Sequence, residues 1–126
     1  TAQTIAIGPP STGDSVSSDA ALNVQVLRPN SIIGCQEVAI VISMAQCTTS
    51  ISCPDPSERL GTPLYIGPFN PQPPPSPSFV YQQNFTVMVP EYLEHGSSAI
   101  LSLTHLCLIG ASPFPLLEFR NVTLSV

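Results

Sequence analysis

Lysine and tryptophan are both absent from this chain, and charged residues of any kind make up only 9% of it. Its three cations, Arg28, Arg59 and Arg120, lie far apart among eight carboxylates, and the net charge is −5. Such a surface offers no basic patch to neutralise phosphates, which makes nucleic acid and anionic membrane surfaces poor candidates as partners. Long apolar runs are lacking too. Val38 to Ile42 and Ala99 to Leu103 fall well short of the roughly 20 residues that cross a bilayer, so no membrane insertion is expected. The cysteines have no C-x-x-C spacing and the carboxylates no calcium-loop pattern, so neither a metal nor any other cofactor is expected. With only Tyr65, Tyr81 and Tyr92 beside the missing tryptophan, an aromatic groove for cleaving glycans is hard to build, and an enzyme is not expected.

What is present points to a secreted domain. Four cysteines, Cys35, Cys47, Cys53 and Cys107, form an even set that reads as a disulfide framework in an oxidising compartment. Two sequons, Asn84-Phe85-Thr86 and Asn121-Val122-Thr123, mark Asn84 and Asn121 as surface positions for N-glycans. The chain opens at Thr1 without a charged and then apolar leader, which reads as a mature form whose signal peptide has been removed. Its 126 residues suit one domain that buries about 65–70% of its unfolded surface, so a hydrophobic core is expected beside the disulfides.

Fifteen prolines and seven glycines cut the chain into short segments, none of which keeps a helical period for three turns. The alternation predicts seven strands: Thr4–Ile7, Leu22–Leu27, Glu37–Ala45, Thr62–Ile66, Val80–Val89, Ser98–Ile109 and Leu116–Val126. In the third, Val38, Ile40, Ile42 and Met44 share one face, and Ala39, Val41, Ser43 and Ala45 the other. Between Cys47 and Ser78 the prolines allow only loop and an edge strand, because proline cannot donate to a ladder. This spacing predicts an all-β fold, a seven-stranded antiparallel β-sandwich of immunoglobulin-like or fibronectin-III-like type, as a single domain over residues 1–126 with a Pro-rich loop and edge region at 47–78.

In that topology the third, sixth and seventh strands lie side by side, with the third antiparallel to the sixth. Cys35 then meets Cys107, leaving Cys47 and Cys53 to clasp a short loop. Four cysteines permit three pairings, so this one rests on the inferred topology.

His105 shares parity with Leu101, Leu103 and Cys107 along the sixth strand and reads as an inward histidine near a disulfide; His95 reads as solvated. A hydrolase using Glu37 or Glu118 with His105 is the catalytic alternative, and it requires those groups within hydrogen-bond reach. Ala39, Val41 and Ala45 leave the third strand apolar on both faces, which marks an interface and a possible homodimer. Phe69 and Phe79 flank the Pro-rich stretch and could present an aromatic surface to a partner, although edge protection explains the prolines better.

Several stretches carry a resemblance: Ile7-Gly8-Pro9-Pro10, Val24-Gln25-Val26 with Arg28-Pro29-Asn30-Ser31, Glu37 to Ile42, Asn84-Phe85-Thr86-Val87 closing at Pro90, Leu108 to Ala111, Leu117-Glu118 and Asn121-Val122-Thr123. This pattern resembles small secreted proteins of basidiomycete fungi, some of them mushroom immunomodulators that activate macrophages. The resemblance implies a secreted fungal protein that binds a cell-surface receptor or glycan, and it supplies no site residues. A carbohydrate-binding or wall-associated module without catalysis is the alternative.

Overall fold

A computed structural model describes residues 5–28, 35–48, 52–53, 58–73, 80–110 and 114–126, with Cys35 and Phe114 described by their backbone alone. The strands are β1 (Ala6–Ile7), β2 (Ala21–Arg28), β3 (Cys35–Cys47), β4 (Thr62–Gly67), β5 (Tyr81–Met88), β6 (Ser98–Ile109) and β7 (Phe114–Ser125). They form two antiparallel sheets ordered β1-β2-β5 and β4-β3-β6-β7. The all-β sandwich expected from the alternation is therefore the fold, with the third, sixth and seventh strands side by side.

Alternation decides which side chains enter the core. From β2 and β5 come Val24, Val26, Phe85 and Val87; from β3, β6 and β7 come Ile40, Ile42, Met44, Leu101, Leu103 and Leu124. Each such side chain contributes roughly 1.5–3 kcal/mol by leaving water.

The sheet edges are each managed by a different device. β4 is an edge strand, as expected of the Pro-rich region it lies in, with Pro63 inside it and a register shift opposite Ile42 and Ser43. Beyond β4 the chain crosses to the other sheet, where Gln72 and Gln82 exchange backbone hydrogen bonds of 2.9 and 3.0 Å along the free edge of β5. Past β1, the N-terminal segment leaves β2 and runs along β7: Gly13 N–H donates to Thr123 O, Ser125 N–H to Asp14 O and Val16 N–H to Ser125 O. The stretch from Pro74 to Phe79 lies outside the described residues.

One irregularity reshapes the end of the sheet where β3 begins. The β3–β6 register jumps between Glu37, which faces Cys107, and Ala39, which faces Leu106. Val38 is thus the extra residue of a β-bulge, and a bulge resets which face its strand's side chains take. The strict alternation expected of the third strand put Val38 inward with Ile40. Instead Val38 is 43% exposed and Glu37 turns inward in its place.

Candidate functional site

Because of that bulge, Glu37 of β3, His105 of β6 and Glu118 of β7 sit close together on the inner face at one end of the four-stranded sheet. His105 is fully buried. Its Nδ1 lies 3.2 Å from Glu118 Oε1, and its Nε2 meets Glu37 Oε1. Both ring nitrogens of the imidazole thus face a carboxyl group, one on each neighbouring strand. Two arginines join them: Arg120 Nη2 donates to Glu118 Oε2 at 3.0 Å, and Arg28 Nε lies 3.5 Å from Glu37 Oε2. Phe69 packs edge-on against the imidazole, with ring centroids 5.9 Å apart.

Two of the eight carboxylates are therefore not scattered, as their sequence positions imply, but meet His105 within hydrogen-bond reach. The arrangement meets the distance condition of the hydrolase alternative. It fails on access, because a general base must reach a proton on its substrate and His105 is sealed beneath Phe69. It forms a largely buried polar rung across β3, β6 and β7, and removing one partner from a buried charged pair costs about 3–5 kcal/mol.

The predicted interface residues divide. Phe69 is a core residue, 2% exposed, and so presents no surface to a partner: Gly67-Pro68 bends the chain so that its ring closes over the histidine end. Phe79 lies outside the described residues. Ala45 is also buried, in a small cluster with Cys47 and Ile100 against which Cys53 packs, so it too is unavailable as an interface. The Cys47–Cys53 disulfide spans six residues with a Cα–Cα distance of 4.8 Å and holds that cover in place. Gly61 comes equally close, since a Cβ there would lie 2.5 Å from Met44 O and 2.7 Å from Ala45 Cβ, and its φ is +78°. Cys107 is disulfide-bonded. The register puts it diagonally across from Cys35, its expected partner, whose side chain lies outside the described residues.

Ala39 and Val41 remain half-exposed, and the register gives them company. On the outer face Ile66, Val41, Thr104 and Phe119 form one row across the four strands, and Ala39, Leu106 and Leu117 form the next. Ile66 is 70% exposed and Leu117 54%. No charged residue stands in either row. The outer face of the other sheet carries Asn23, Gln25, Gln82, Asn84 and Thr86 instead, with Gln25 Nε2 donating to Gln82 Oε1 at 2.6 Å. Sequence reasoning found Ala39 and Val41 but missed Ile66, Leu106 and Leu117, whose alternation on β4, β6 and β7 was the signal available.

A cleft of about 610 Å³ lies at the opposite end, lined by Thr48, Ser52, the Cys47–Cys53 bridge, Glu94 to Ser98 and Thr123. His95 on its rim is exposed, as expected of a turn histidine. No cluster of metal-ligating side chains occurs among the described residues, and no helix there is long and apolar enough to cross a membrane. Asn84 and Asn121 are both exposed.

The molecule thus combines a sealed charged rung at one end of a sheet with a bare apolar face on the outside of it. The profile of the Nis1 family matches residues 1–125. The chain belongs to the Nis1 family. Among the curated proteins compared with it, none matches. The Nis1-family match spans both sheets, so the charged rung and the apolar rows both lie within the shared region.

Proposed function

We propose that this Nis1-family protein is a secreted, disulfide-bridged glycoprotein that works by docking on a cell-surface receptor, not by catalysis. The observation that carries this reading is the uncharged apolar surface of Ile66, Val41, Ala39, Leu106 and Leu117, exposed on a sandwich whose other outer face is mainly amide and hydroxyl side chains with Met88 at its end. Contiguous apolar surface of this kind marks interaction sites. Its chemistry fits an apolar protein surface better than a glycan, which needs polar groups and stacking rings to hold its hydroxyls. A second copy could occupy the same face as a homodimer, but each copy brings a net charge of −5, and like charges oppose that association.

Stimulation of macrophages, which the basidiomycete resemblance implies, is the assay for such docking. Endotoxin-free protein is compared with its I66E and L117E variants, and cytokine release is measured. Release by the parent that both variants lose, at unchanged circular dichroism, is the expected outcome. Release that both variants retain would remove the face from the reading, and no release from the parent would remove the immune activity. A light-scattering mass of twice the monomer would make the second copy the occupant.

A further inference from the structure

We propose that Phe119 is a docking platform for the first sugar of an N-glycan on Asn121, so that this glycan lies along β7 and bounds the apolar face on that side. The proposal rests on the secretory reading above, since only a chain passing through that route acquires the glycan.

Strand alternation places the partners. Glu118 and Leu124 of β7 are buried on the inner face, so Phe119, Asn121 and Thr123 all stand on the outer face. Same-face neighbours in a strand are about 6.8 Å apart, and a pyranose attached to the middle one lies over the side chain on either side. The sequon Asn121-Val122-Thr123 therefore has an aromatic ring two residues before it, on the same face. N-acetylglucosamine presents C–H groups from one side of its ring, and the face of an aromatic ring carries the negative end of a quadrupole that attracts them. Asn121 is exposed and Phe119 half-buried, which leaves part of the ring to be covered. Across the ladder, Asn121 faces Ser102 and Phe119 faces Thr104, and neither is large enough to take the sugar's place.

The second sequon supplies an internal control. Asn84 on β5 is just as exposed, but its same-face neighbours are Gln82 and Thr86, and Gln82 is already engaged by Gln25 at 2.6 Å. A sugar on Asn84 meets no ring and extends into solvent. The two glycans therefore differ: the one on Asn121 packs on the protein and stabilises it, and the one on Asn84 does not.

The test uses full-length chain secreted from a eukaryotic host, with each glycan trimmed enzymatically to its first sugar and occupancy read by mass spectrometry. N121Q should lower the melting temperature by roughly 2–6 °C, whereas N84Q leaves it unchanged. In the F119A background the effect of N121Q should vanish, and F119Y should keep it. F119L, which retains apolar bulk without a ring, serves if F119A does not fold. Melting shifts from N121Q that persist undiminished in F119A and F119L would overturn the proposal. So would a secreted protein glycosylated at Asn84 and bare at Asn121. A protein that carries no glycan at either site and forms no disulfides would instead bring down the secretory reading itself.

Discussion

Where β3 ends and β6 begins, the four-stranded sheet turns Met44, Leu101 and Leu124 inward and closes its outer face around Ala45, Cys47 and Ile100, against which Cys53 packs. The side chains of Ser43 and Ser102 are buried there as well. Where β3 begins and β6 ends, the same strands turn Glu37, His105 and Glu118 inward and leave Val38, Ile66 and Leu117 exposed. The first end follows the ordinary rule of apolar inside and polar or covered outside. The second inverts it on both faces at once. An inversion of that kind lowers solubility outside and risks desolvation inside, so the end that carries it is where function is to be sought.

The contrast between the two ends breaks most severely at the charged rung. Substituting His105→Ala leaves Glu37 and Glu118 buried without their shared partner, and urea unfolding should show a loss of about 3–5 kcal/mol. A loss under about 1 kcal/mol would mean that the arginines alone hold the carboxylates. At the covered end, Gly61→Ala forces a side chain into Met44 O at a positive φ, and about 2–3 kcal/mol should disappear. The paired substitution C47S/C53S opens the clasp and should cost about 2 kcal/mol, the chain-entropy value for so short a loop. It should also expose Ile100, read as increased binding of a hydrophobic dye. The smallest effect on stability belongs to the bare face: I66S and L117S should stay within about 0.5 kcal/mol of the parent. If either loses several times that, the rows are held down by contacts in the folded chain and are not a free surface.

Most of the fold was legible in the residues. Alternation located all seven strands, and Ser98–Ile109 coincides with β6 end to end. Proline density placed the edge strand, since a missing donor is a local property that no tertiary context repairs. The candidate site was less legible. Ala39 and Val41 stand out because their strand is apolar on both faces, but Ala45, further along it, is covered by a loop that only the tertiary fold brings there. Phe69 reads as surface because its neighbours are prolines; its burial depends on a bend that carries it back over His105. The inward turn of Glu37 is hidden because no glycine, proline or asparagine announces the bulge at Val38, and strict alternation sends the acid to solvent.

That bulge also ties chain length to charge. Remove Val38 and the ladder closes up with Glu37 still opposite Cys107 and still inward; keep Val38 but flatten the bulge, and every side chain before Ala39 changes face, so that Glu37 leaves the histidine for solvent and Val38 enters the core in its place. Among relatives of this chain that keep the histidine, the acid facing it should therefore stand two residues before the position of Ala39 where the strand is bulged and one residue before it where the strand is regular. The unit that inheritance keeps or discards at this end of the sheet is then a reading frame of side chains, not a residue.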